Sequence, residues 1–173
     1  DAAFGWRLDP DKVLTAVDAT WDDADRAVVL VEASDLSRVA AYDSRANADQ
    51  RGALRDAALA DADALLGSLL DRVDPERDAV VVLSPVSPAA SPTLGMVAVQ
   101  APGVDGGLLE SATTRRGGYV QLADVAPTVL TLLGEEAPSD MEGRTFQVTD
   151  ASGDRTGALA DAAEAAEFRD GSM

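Results

Sequence analysis

The sequence contains no histidine and no cysteine. Histidine is the commonest metal ligand and the usual acid or base near neutral pH. Cysteine supplies the strong thiolate nucleophile and the soft metal ligand. Their absence removes Ser-His-Asp and Cys-His nucleophile systems, the usual Zn²⁺ sites and every disulfide. Lysine is nearly absent as well: of 14 basic residues, only Lys12 is not arginine. Aromatic residues make up 4% of the chain, so a core has to be assembled from Ala, Val and Leu. The longest apolar runs, such as Ala27–Val31 and Ala79–Leu83, are strand-sized. They fall far short of the roughly 20 residues that span a membrane. Carboxylates, hydroxyls and arginines remain for chemistry.

Acidic residues are in excess, 31 against 14, which gives a net charge of −17. That charge favours solubility and opposes binding to DNA, RNA or anionic lipid, whose phosphates need cations to neutralise them. A halophile's acidic surface is a second source of the same composition. Hydrophobic residues make up 46% of the chain, enough to fold. At 17.8 kDa it is long enough for one domain and short for two. The absence of cysteine fits cytoplasm and cell exterior alike. Beginning at Asp1, the sequence reads as a processed protein or a piece of a longer one.

Residues 1–24 read as a leading helix and turn. Asp9 caps the helix, Pro10 lies in its first turn, and Val13, Leu14 and Val17 form its apolar stripe. Asp22, Asp23 and Asp25 follow in a turn. They read as solvated charge, since oxygen-ligand loops show stricter alternation and a turn glycine. Ala27–Ala33 is a continuous β-branched run, the pattern of a strand buried on both faces of a parallel sheet. After a polar stretch, a long helix is predicted from about Asp49 to Val73. Its stripe is Leu54, Ala58, Ala62, Leu65, Leu66, Leu69 and Val73. Ala79–Leu83 and Leu94–Gln100 read as strands, separated by a proline-rich loop. A glycine-rich segment from Gly103 to Gly118 leads to a short strand at Tyr119–Leu122. Asp124 caps the next helix and Gly134 closes it. Thr145–Val148 is extended, and residues 151–173 form an Ala-rich tail, either a short helix or a linker. This α/β order predicts parallel strands joined by helical crossovers, with helices on both faces.

Four segments carry a family resemblance: VVLVEASDLSRVAAY at 28–42, DADALLGSLLDRVDPERDAVVVLS at 61–84, VAVQAPGVDGGLL at 97–109 and RRGGYVQLADVAPTVLTLLGEEAPSDMEGR at 115–144. In this order they resemble the C-terminal half of the alkaline phosphatase superfamily, in its type I phosphodiesterase, sulfatase and phosphoglycerate mutase branches. The most specific piece is Asp124–Gly134, DVAPTVLTLLG. The resemblance implies a partial three-layer αβα sandwich with a mostly parallel sheet, occupying residues 25–150. In that family this half supplies ligands for two divalent metals, which activate a nucleophile and bind charge developing on phosphate or sulfate.

The carry-over leaves one ligand position. The family's first Asp falls on Asp35, but the His four residues later falls on Val39. The Asp-His pair after the second strand falls on Pro85 and Val86, and no His stands at Ser91–Leu94. A lone Asp cannot hold Zn²⁺, which takes three or four protein ligands. The resemblance therefore implies a pseudo-hydrolase with no catalytic residue and no resident metal, a structural or binding module of a larger protein. It is similar to degenerate segments of actinobacterial envelope proteins, which implies a place on the extracytoplasmic side of a bacterial membrane, with no insertion by this segment. The partner on that reading is an unidentified protein. One alternative is a phospho- or sulfoester hydrolase holding Zn²⁺ or Mn²⁺ with carboxylates alone. Another is an acidic adaptor docking a basic protein.

A few residues merit separate readings. Asp35 is a relic metal position, able to bind Ca²⁺ or Mg²⁺ with Glu32 or Asp43, or a loop-capping carboxylate. Arg115 and Arg116 stand beside Gly117 and Gly118 and are the candidate anion contact, because guanidinium forks match phosphate. Ser111, Thr113 and Thr114 lack a nearby base to activate a hydroxyl. Asp61 and Asp63, two residues apart on a helix, point to different faces and make no acid pair.

Overall fold

The computed structural model describes residues 7–22, 24–85 and 94–170. The chain divides into two compact units, Asp1–Val73 and Asp74–Met173. The first is helical. Helix α1 (Pro10–Asp22) starts as its sequence predicts: the Asp9 carboxylate accepts from the Lys12 N–H at 3.3 Å, and Pro10 takes the first helical position. That contact holds the Asp9 carboxyl below its ordinary range. Val17 is buried. Helix α2 (Asp35–Ala41) lies inside the stretch read as polar and irregular, and it packs on α3 (Ala48–Leu70). A reciprocal cap starts α3: the Asn47 side chain accepts from Gln50 N–H, and the Gln50 side chain accepts from Asn47 N–H. Of its predicted stripe, Ala58 and Leu65 are buried. Arg72 clamps Asp18 at 2.6 Å and 3.3 Å, linking the C-terminal end of α3 to α1.

The second unit holds the strands. β1 (Val80–Leu83) pairs with β2 (Val97–Gln100), and β3 (Leu108–Glu110) pairs with β4 (Gln147–Thr149). Both ladders are antiparallel and two-stranded. Helix α4 (Val125–Leu132) lies between β3 and β4 in sequence, and α5 (Arg155–Asp170) follows β4. Gly134 ends α4 in the left-handed region, φ 76°, with its N–H on Thr131 O. The tail is thus the helix rather than the linker.

This architecture corrects the expected fold. Among the described residues, five α-helices and two small antiparallel ribbons do not make a parallel three-layer αβα sandwich. The connection from β1 to β2 gives the physical reason. A parallel pair needs a crossover of a dozen or more residues, usually a helix. The 84–93 segment, proline-rich in sequence, carries no helical pattern to make one, and its residues 86–93 lie outside the described set. The run Ala27–Ala33 is not among the strands either: among the described residues it pairs with no other segment. The short strand read at Tyr119–Leu122 is absent, and a 3₁₀ turn over Leu122–Asp124 leads into α4. β3 lies in the segment read only as glycine-rich.

Burial is thin. Among the described residues the buried apolar side chains are Val17, Ala58, Leu65, Ala101 and Pro127. Leu65→Ala is expected to cost about 3 kcal/mol, because it removes a buried isobutyl group from the α3 face. Leu59→Ala, at a position 45% exposed, should change stability by less than about 0.5 kcal/mol. Denaturant melts of the two variants check this contrast.

Candidate functional site

Asp35 is the first residue of α2 and is 8% exposed. Arg38, one turn later on the same helix, places its guanidinium on the Asp35 carboxylate. Arg7 approaches from the leading segment, with Nε 4.0 Å from Asp35 and its terminal nitrogen on Asp61 of α3. Asp35, Asp61 and Arg7 line a cavity of about 130 Å³ whose remaining wall includes Pro10, Ala62 and Leu65. Asp35 is therefore an arginine-paired carboxylate. Two guanidinium groups already neutralise the acids that a dication would need. Among the described residues no three His, Cys, Asp or Glu side chains gather to hold a metal. With Arg38 and Arg7 on its carboxylate, Asp35 does not present the three or four protein ligands that Zn²⁺ takes. Asp61 turns to Arg7 while Asp63 is exposed, so the two make no acid pair. Of the other positions onto which the resemblance would map ligands, Pro85 and Leu94 are exposed. Val86 and Ser91 lie outside the described residues, as does Asp23 of the predicted acidic turn. Sequence reading missed Arg7 and Arg38. The three-residue spacing of Asp35 and Arg38 on a helix was the available signal.

The second unit is organised around Asp124. The side chains of Asp124 and Ser111 are fully buried. Ser111 Oγ donates to Oδ2 at 2.6 Å, and Thr113 Oγ1 donates to Oδ1 at 2.7 Å. The Gln121 N–H donates to Oδ2 at 2.8 Å, and the Arg144 N–H donates to Oδ1 at 2.8 Å. Asp124 is thus not the side-chain N-cap of α4. The helical turn begins earlier, after Gln121, and Asp124 is its third residue reaching back to the Gln121 N–H. Its backbone carbonyl accepts from Thr128 Oγ1 at 2.6 Å, and that hydroxyl accepts from Phe146 N–H at 2.9 Å. Gly143 makes the arrangement possible. Its φ is 88°, and a Cβ there would collide with the Ala123 carbonyl, so only glycine lets the chain come close enough for Arg144 to donate. Burial pushes the Asp124 carboxyl up, yet the hydrogen bonds from Ser111, Thr113, Gln121 and Arg144 together hold it below its ordinary value of 3.8.

The hydroxyls considered as nucleophiles are consumed by the same network. Ser111 and Thr113 donate to Asp124, and Thr114 Oγ1 donates to the Tyr119 carbonyl at 2.6 Å. Arg115 and Arg116 sit on the turn that follows. Ser111 O accepts from Thr114 N–H and Arg115 N–H at 3.2 Å and 2.8 Å. Arg115 then adopts φ 52°, the left-handed region, alone in this among the described non-glycine residues. Arg116 stacks on the Tyr119 ring, 4.3 Å from its centroid, and Tyr119 Oη donates to the Ala162 carbonyl of α5 at 3.1 Å. Both arginines are exposed, one on a strained backbone and the other spread over an aromatic face.

Against known proteins the chain stands apart: no family model, no curated protein and no solved structure matches it.

Two outcomes follow from these geometries. Asp124→Asn places an NH₂ where a donor already points, and it should cost about 3 kcal/mol. The pH dependence has a definite sign. A carboxyl held low in the folded state stabilises the fold above its unfolded value of 3.8. That contribution is lost as the pH falls below 3.8 through the folded value. Urea melts between about pH 3 and pH 6 should show the native chain losing this increment on acidification. The Asn variant should show a flatter profile. Separately, Arg115→Gly should raise stability by about 1 kcal/mol by relieving the left-handed strain. Calorimetric melting checks the gain.

Proposed function

We propose that this chain is a noncatalytic structural or binding module of a larger, envelope-associated protein. One observation carries the reading: the surviving ligand position of the resembled hydrolases, Asp35, is paired with Arg38 and Arg7. A carboxylate so neutralised offers little to a divalent cation, and Val39, the neighbouring lost ligand, has no lone pair to add. The burial of Ser111 on Asp124 supports the same conclusion, since a hydroxyl donating to a structural carboxylate is withheld from substrate. Among the described residues no helix is long and apolar enough to cross a membrane. This accords with a module attached to an envelope protein through other segments. The charge of −17 favours protein partners over nucleic acid.

Titration calorimetry with Zn²⁺ and Mn²⁺, alongside hydrolysis assays on aryl phosphate, aryl sulfate and phosphodiester substrates, tests this reading. The expected result is no saturable metal binding near equimolar concentration and no turnover above buffer. Stoichiometric Zn²⁺ binding with turnover that Asp35→Ala abolishes would overturn it.

A further inference from the structure

One cavity of the first unit is built around an arginine. Arg7 spans two acids: its Nε lies 4.0 Å from Asp35 Oδ2, and its terminal nitrogen lies on Asp61 Oδ2. Asp35 opens α2 and Asp61 belongs to α3, so two helices packed on each other hold the carboxylates in place. The cavity that these three residues line has a volume of about 130 Å³ and an apolar wall that includes Ala33, Ala62 and Leu65. A void of this size takes one small group, since about 150 Å³ holds a single benzene. Carboxylates beside apolar wall suit an arginine, whose methylene stem accepts apolar surface while its planar fork needs acceptors. An ammonium is a point charge and does not reach two separate carboxylates with two nitrogens.

The resident arginine is loosely held. The side chains of Arg7 and Asp61 are each 44% exposed. Water screens a pair at that exposure, and two side chains must be ordered to keep it. Arg38, the other guanidinium on Asp35, stands on α2 itself, whereas Arg7 precedes α1. Arg7 is therefore the one that leaves without disturbing a helix. We propose that this cavity recognises an arginine side chain of a basic protein partner, and that Arg7 fills it intramolecularly until the partner displaces it. The exchange conserves charge: one guanidinium leaves Asp61 and Asp35, and another arrives. The net charge of −17 steers basic partners toward the chain. The occupant is an arginine of a polypeptide rather than a free guanidine, because the site already accommodates one with its backbone. Leu8, the residue after Arg7, also lines the cavity.

This inference rests on reading the chain as a binding module, and it names the chemistry of the partner. Titration of the 173-residue chain with N-acetyl-arginine amide, followed through the backbone amide resonances of Asp35 and Asp61, tests it. Arg7→Ala should bind this probe saturably and about tenfold or more tighter than wild type, because no intramolecular arginine competes. Arg7→Lys keeps a cation without the fork and should fall between the two. It carries the test if circular dichroism shows Arg7→Ala unfolded. Adding Asp61→Asn to either variant should weaken binding about tenfold. N-acetyl-lysine amide should bind about tenfold more weakly than the arginine probe. A purely structural ion pair would give none of these ligand-dependent differences. Folded Arg7 variants that bind no tighter than wild type, no saturation up to about 10 mM, or equal binding of the lysine probe overturns the proposal. Agmatine has the fork but no flanking amides, and it should bind no tighter than the arginine probe. Markedly tighter binding of agmatine would overturn the polypeptide partner. None of these results touches the noncatalytic reading, which fails only on metal binding with turnover.

Discussion

A carboxylate buried without a counter-charge holds the second unit together. Moving an ionised group out of water is costly unless hydrogen bonds replace its hydration. Asp124 receives four: two hydroxyls and two backbone N–H groups, all between 2.6 and 2.8 Å. Bonds to a charged acceptor contribute about 1.5–3 kcal/mol each, against about 1 for neutral pairs. The donors come from three separate stretches of chain: the turn after β3, the residue before the 3₁₀ turn, and the Gly143–Arg144 loop that leads to β4. The carboxylate therefore fixes the β3–β4 ribbon and the start of α4 in one step. Thr128 extends the tie through Phe146 N–H.

That polar anchor has consequences because apolar burial is sparse. Five buried apolar side chains among the described residues are few for a chain of this size. A lone two-stranded ribbon is marginal in water. The polar network supplies definition that a larger core would otherwise give. In the first unit the same economy recurs in a different form. α3 packs on α2 and buries Ala58 and Leu65, while Arg38 pairs with Asp35 and Arg7 with Asp61.

The parts legible in the sequence are those governed by local rules. Asp9 and Pro10 announced α1, a spacing of three and four announced α3, and Gly134 announced the end of α4. The parts that escaped depend on contacts distant in sequence or on strand direction. β-branched runs report strands and not their pairing, so the sheet was read as parallel. The proline-rich link between β1 and β2 was the contrary sign. α2 is short and polar, with no periodic stripe to reveal it. Asp124 stood out as a helix-start residue, but its hydroxyl donors lie 13 and 11 residues upstream, and no local pattern marks them. Of the candidate site residues, Asp35 proved to be an ion-paired carboxylate. Arg115 and Arg116 proved to occupy a strained turn and a tyrosine face. The residues that settle Asp35 were not singled out beforehand.

The functional picture follows from where the polar groups are used. Hydroxyls of Ser111 and Thr113 are committed to Asp124 in one unit, and Asp35 and Asp61 to arginines in the other. The central claim is that the Asp124 carboxylate secures three stretches of chain at once. Native-state amide hydrogen exchange measures it most directly. The Gln121 and Arg144 amides, both donating to that carboxylate, should exchange slowly with a shared opening free energy. They should lose protection together in Asp124→Asn. Exchange of either amide as fast as an open loop, or independent opening of the two, would contradict the account.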